Sequence, residues 1–382
     1  MRSRIASHSV GLRDSVRPWP LPASIAVLMP TWVRRRSSMR ILLHDNQICE
    51  RGTTTSMLDY ARVLRGNGHD VELAFWDASP ANQPKVIERV RAEFPLHGHP
   101  EPDRIPASFS GFDSAYFIKA GFFDGLVLPE THNVIHAVFS DYEPHGCRYV
   151  YISQWLADHV RSQTHGRSGR KSKALDCGLR ARQNGCVDAL EFGHLNLIVD
   201  IAPPELGMRE ELGIPDEAFV ITRFGGYDSF DVAWVQQKVA ALLEDHPDWY
   251  FVGLNTKPFT RHSRAIFLPM TPDPVEKASV AAMGDVFLTA RGEGEAFGVA
   301  IAEALQLGIP ALAWEGGAYR NQVSMLKGLN GTFRTPRQLE RRLKELSHGT
   351  EPSVVEALQQ RGDEFRPTRV APQLEALLQP CL

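Results

Sequence analysis

The stretch Asp285–Gly317 reads DVFLTARGEGEAFGVAIAEALQLGIPALAWEGG, and its reading decides the fold. Val286, Phe287 and Leu288 form a short apolar run that predicts a buried strand. A loop of glycine and charge follows, Arg291-Gly292-Glu293-Gly294-Glu295. Phe297, Ala300, Ile301, Ala304 and Leu305 then recur at helical spacing, and Gly308 and Pro310 supply a stop. Ala311 to Trp314 is a second apolar run, closed by Gly316-Gly317. Strand, glycine loop, helix and strand make a βαβ unit of a parallel sheet.

Two carboxylates frame this unit. Glu295 stands just before the helix and Glu303 inside it. At helical rise their backbones are about 12 Å apart along the axis. That is comparable to the span of a nucleotide sugar from sugar ring to ribose. Between them, the helix start near Phe297-Gly298 offers unpaired N–H groups and a positive dipole end, a seat for a diphosphate. The arrangement predicts hydroxyl binding by Glu295 at one end and Glu303 at the other, with phosphates on the helix start.

Glu295-Ala296-Phe297-Gly298, Glu303-Ala304-Leu305, Gly308-Ile309-Pro310 and the later Gly-Gly together resemble the Glu-x7-Glu signature of retaining, family-4-type glycosyltransferases (glycosyl transferases group 1). A bare pair of glutamates at this spacing carries little information, because helices are rich in Glu; the full pattern between two strands is far more specific. The alternative is an ordinary Rossmann-type βαβ unit with a polar loop. The resemblance implies an α/β protein of GT-B fold, two Rossmann-like parallel-sheet domains facing across a cleft.

Composition sets the outer bounds. The 382 residues predict two domains, and 43% hydrophobic with 23% charged content is ordinary for a globular chain. A net charge of −3 gives no case for nucleic acid as partner. No apolar run approaches the roughly 20 residues of a membrane span. Cys49, Cys147, Cys177, Cys186 and Cys381 are scattered, odd in number and without CxxC. They suit a reducing, cytoplasmic compartment and offer no metal template, even with His194 near two of them.

Residues 1–38 hold Arg2, Arg4, Arg13, Arg17 and Arg34-Arg35-Arg36 against the single acid Asp14. They read as a disordered extension, with Met39 as the true start. Met39 to Leu43 predicts the first strand, and Glu50 to Thr55 a polar loop before a helix and a second strand, Val71 to Trp76. No GxGxxG occurs, which argues against a nicotinamide cofactor. The resemblance puts Gly52 and Thr53 where the first domain closes over donor or acceptor; otherwise they are a loop glycine and a helix cap at Thr53–Thr55. His136, near the end of the predicted strand Asn133–Phe139, corresponds to a family histidine lying against donor sugar and acceptor; a lone His is also commonly structural. His145 is a weaker candidate. The basic, glycine-rich segment 163–195 reads as a solvated loop or as a patch for peripheral contact with an anionic membrane.

Leu197 to Asp200 closes the first domain and Pro203-Pro204 marks a linker. The expected divisions are 39–202 for an acceptor-side domain, 203–365 for a nucleotide-sugar domain and 366–382 for a last helix returning to the first. Ala218 to Gly226 resembles the opening strand of the family's second domain, whose arginine contacts the leaving diphosphate; here that residue is Arg223. Gly225 and Gly226 allow close backbone approach. The family commonly places a lysine a few residues later, and this chain has none there. Lys257 is the expected substitute, with Arg261 and Arg291 in reserve.

The catalytic candidates are thus Glu295, Arg223 and His136. The donor-binding candidates are Glu303, Phe297, Gly298, Lys257, Gly225, Gly226, Gly52 and Thr53. No Asp-x-Asp occurs, so no metal is expected, and the cations and helix start would take its place. No cofactor is expected beyond a UDP- or GDP-linked sugar substrate. The acceptor would be a glycan, a lipid-linked group or a protein. The alternatives are a nucleotide-sugar epimerase of the same fold and a catalytically degenerate sugar-nucleotide sensor.

Overall fold

The computed structural model describes residues 38–165 and 193–380. The expectations for the N-terminal extension to residue 37, and for the basic stretch 166–192, lie outside the described residues. Among the described residues no helix is long and apolar enough to cross a membrane.

The first half builds one parallel sheet from β1 (Arg40–Asp45), β2 (Asp70–Trp76), β3 (Leu96–His99), β4 (Ser114–Lys119), β5 (His132–Ala137), β6 (Arg148–Tyr151) and β7 (Gly193–His194). Their spatial order is β3-β2-β1-β4-β5-β6-β7. Register is fixed along β1, where Ile41 faces Val71 on one side and Ser114 on the other. β4 and β5 are buried along their whole length. Helices cover both faces of such a sheet, so its strands read as continuous apolar runs.

The second half repeats the plan with β8 (Phe219–Phe224), β9 (Trp249–Leu254), β10 (Ala265–Leu268), β11 (Val286–Thr289), β12 (Gly294–Glu295), β13 (Ala311–Trp314), β14 (Tyr319–Arg320) and β15 (Thr332–Phe333). Its main sheet runs β10-β9-β8-β11-β13-β15, with β12 and β14 paired apart from it. In both sheets the strand order reverses once, between β1 and β4 and between β8 and β11. Open α/β sheets bind ligands at the carboxyl ends of strands beside such a reversal.

Helix starts follow local chemistry. The Pro274–Ala282 helix has Pro at its first position, and Asp273 accepts from Val275 N at 2.9 Å. The Pro336–Leu346 helix repeats this with Thr335 as cap. Proline lacks only an N–H that would be unpaired there anyway. The expected cap at Thr53–Thr55 is corrected: the helix runs Gly52–Gly66 from Arg51, with no side-chain cap. Thr54 instead donates its hydroxyl to buried Asp45 at 2.9 Å, which ties the helix start to the end of β1. A short helix, Asn321–Met325, follows β14.

Two features join the halves. Gln306 is buried; its amide donates to Val199 O at 2.7 Å and Gly362 O at 3.2 Å and accepts from Ile201 N at 3.1 Å. The last helix, Pro367–Leu378, packs on the Gly52–Gly66 helix and on β4 and β5, burying Leu374 and Leu378.

Candidate functional site

A cavity of about 630 Å³ opens at the carboxyl ends of β8 and β11. Arg223 and Phe224 come from the end of β8, and Thr289 from the end of β11. The loop 225–231 forms one wall, residues 291–298 another, and the first turn of the Val299–Gln306 helix a third. From the first half, Gly52 closes over it.

Arg223 is the organising side chain. Its guanidinium is 2% exposed and donates from Nη2 to Ser229 Oγ at 2.6 Å and Gly226 O at 3.2 Å. Nε and Nη1 are buried with no partner. Burial lowers its pKa to about 10, an effect partly offset by Glu295, so it stays cationic at neutral pH. Leaving two buried donors unpaired costs about 1–3 kcal/mol each, so the fold holds them at a price that an anionic ligand would remove. Gly225 makes the geometry possible. Its φ is +139°, and a Cβ there would lie 2.8 Å from Arg223 Nη1.

Glu295 sits on β12, whose backbone is held by Gln322 Oε1 at 3.2 Å from its N–H. Burial pushes its carboxyl above the usual glutamate range, while Arg291 and Arg223 pull it back. Arg291 Nη1 lies 3.7 Å from Glu295 and its Nη2 2.7 Å from Glu293. β12 can pair with β14 only because Gly294 carries no side chain; a Cβ would fall 1.8 Å from Tyr319 O. Gly298, in the left-handed region, caps the helix that follows, and no acid stands in its first turn. The dipole end therefore faces the cavity uncompensated.

The structure brings together Arg223, Gly225, Gly226, Glu295, Phe297, Gly298 and Gly52 on the cavity wall. Four candidates stand off it. Glu303 is buried one turn deeper in the helix, with Lys277 Nζ 2.5 Å from its Oε1. Lys257 is exposed beside the rim, 3.7 Å from Asp228. Thr53 is half-buried next to Gly52 and does not line the cavity. His136 is in the interior of the first sheet: Tyr116 OH lies 2.5 Å from Nδ1, and Nε2 meets Leu195 O at 2.9 Å. With both ring nitrogens engaged and burial lowering its pKa to about 4, it is a neutral packing histidine. His145 is likewise buried and held neutral.

Sequence reasoning kept Arg291 only in reserve, yet it is the second cation on the wall. It missed Ser229 and Asp231, which brace Arg223 and the Gly292 amide. The polar loop after β8 was the available signal for both. Nothing in the sequence pointed to Lys277.

No protein-family model matches the chain, and no curated protein matches it significantly. Solved structures do. A glycosyltransferase from Rickettsia africae is 13% identical at TM-score 0.64, covering 89% of this chain and 98% of that one. HepE from Anabaena in complex with UDP is 14% identical at 0.64, covering 89% and 99%. The catalytic domain of starch synthase IV from Arabidopsis thaliana, bound to ADP and acarbose, is 12% identical at 0.60, covering 90% and 99%. At such identities the likeness defines a fold, and that fold is GT-B.

Proposed function

We propose that this protein is a glycosyltransferase that moves a sugar from a UDP- or GDP-linked donor to a glycan, lipid-linked or protein acceptor, with retention and without a metal. The observation that carries the reading is the buried guanidinium of Arg223, with two unpaired donors lining a cavity that also receives a helix N-terminus. Leaving-group departure breaks the bond between the anomeric carbon and the phosphate oxygen, and the electron pair stays on the diphosphate. Arg223, Arg291 and the Gly298 helix start would stabilise that charge as it grows. Glu295 would position the sugar by its hydroxyls rather than attack it. Glu303 would take the ribose. The acceptor hydroxyl would enter from the side of Gly52, form the new bond on the face the diphosphate leaves, and give up its proton to the departing group. The resemblance of the Glu295–Glu303 pattern supports retention, and the paired arginines support catalysis without a divalent ion. UDP, bound by HepE, and ADP, bound by the starch synthase, are the ligands of the same fold that support a nucleotide donor.

The test is nucleoside diphosphate release from a panel of nucleotide sugars, with and without candidate acceptors. Acceptor-dependent release is expected, unchanged by EDTA and lowered about 100- to 1,000-fold in kcat by Arg223→Ala. Sugar conversion by enzyme alone would assign an epimerase instead, and loss of turnover in EDTA would overturn the metal-free reading.

A further inference from the structure

Glu303 is held in an unusual way. It is 8% exposed, Oε1 carries the whole contact with Lys277 at 2.5 Å, and Oε2 is buried with no partner. Glu303 stands three and four residues beyond Ala300 and Val299, which line the cavity, so it shares their helix face. Lys277 comes from the neighbouring Pro274–Ala282 helix, and its Nζ is 6.0 Å from the ring of Phe224, another lining residue. The pair therefore lies just behind the lining, one helical turn beyond Val299 and Ala300 and beside Phe224.

The chemistry of the two side chains explains the asymmetry. A buried carboxylate alone favours its neutral form. A lysine beside it favours the charged form but is a point donor on a flexible stem, and it occupies one oxygen. An arginine would fork across both oxygens and leave none free. Lys277 occupies Oε1 and leaves Oε2 bare. A bare buried carboxylate oxygen is an acceptor waiting for O–H donors, and the ribose of a nucleotide supplies two on adjacent carbons.

We propose that Lys277 is a positioning residue that holds Glu303 ready for a ribose diol and so makes the site select ribonucleotides over 2′-deoxyribonucleotides. The inference rests on the donor reading given above. It concerns Lys277 alone and can fail while that reading stands.

The experiment is calorimetric titration of the full chain with UDP, GDP and ADP and with their 2′-deoxy counterparts, for wild type, Lys277→Met and Lys277→Arg. Wild type is expected to prefer one ribonucleotide tenfold or more over its deoxy form. Lys277→Met is expected to weaken the ribonucleotide tenfold or more and the deoxynucleotide less than threefold, so the preference collapses. In turnover, KM for the donor rises by the same factor while kcat stays within threefold. Lys277→Arg, which keeps the charge but covers both oxygens, is expected to lose the preference as well. An unchanged preference in the variants, or an equal loss for both sugar forms, overturns the role of Lys277 and leaves the donor site in place. A wild type that binds none of the nucleotides overturns both.

Discussion

On the proposed function, Glu295 sets stability against activity within a single carboxyl. Its folded pKa lies above the ordinary value because burial outweighs the pull of Arg291 and Arg223. A raised carboxyl pKa means the unfolded chain ionises first. Stability then falls as pH rises from the ordinary glutamate range through the folded value, and stays lowered above it. The shift already sums the arginine contacts, so removing the charge should help the fold on balance. Glu295→Gln is expected to raise Tm at pH 8 by about 1–3 °C while turnover drops. The gain should shrink toward zero below the ordinary glutamate range, where wild type is neutral too. Thermal melts of both proteins from pH 4 to 8 would show it, and a wild type that melts higher at pH 8 would refute it. The place of Glu295 on the cavity wall was open to sequence reasoning because it follows a glycine loop and precedes a helix. That of His136 was misleading, because a strand-end histidine looks the same whether it faces a cleft or, as here, a tyrosine and a carbonyl in the interior.

Elements were legible where burial wrote itself into consecutive residues. β8, β11 and β13 read directly as apolar runs. The Pro352–Asp363 helix did not, since it buries little beyond Leu358 and Gly362 and leans on the helix carrying Glu303. The Ala233–Asp245 helix buries Val235, Val239, Leu242 and Leu243, a helical spacing visible in the sequence. β12 and β14 are two residues each and exist only because distant segments meet. The same limit hid Gln306, whose three hydrogen bonds reach residues 105, 107 and 56 positions away. Gln306→Met keeps the volume and leaves Val199 O and Ile201 N without this partner, while Gly362 O keeps Phe365 N at 3.2 Å. A loss of about 2–4 kcal/mol is expected. Because this amide, on the Glu303 helix, ties Val199 and Ile201 to Gly362 of the Pro352–Asp363 helix, urea unfolding should also become shallower as the halves lose cooperativity. An unshifted midpoint would mean that the strap is dispensable.

At the scale of the molecule, the first half is finished by the end of the chain. The Pro367–Leu378 helix buries Val370, Leu374 and Leu378 against elements of residues 40–137. Asn67 Nδ2 donates to Glu375 at 2.6 Å, and His132 Nε2 meets Leu377 O at 2.9 Å. The first half and the closing segment of the chain therefore share one core, and the first sheet is not complete on its own stretch of sequence. Fully burying side chains of this size contributes about 1.5–3 kcal/mol each, so three of them approach the whole margin of about 5–15 kcal/mol that holds a domain folded. Ending the chain at Arg366 removes them and bares the apolar face of the Gly52–Gly66 helix, where Leu58, Ala61 and Leu64 are now buried. Such a truncation is expected to aggregate or to melt at least about 10 °C lower. The damage should be local in origin. Replacing Leu374 and Leu378 by Ala in the full chain removes the same contacts without shortening it, and should reproduce most of the fall in Tm. If the double substitution instead melts like wild type while the truncation collapses, the hydrogen bonds of Glu375 and Leu377, rather than apolar burial, secure this helix to the first sheet.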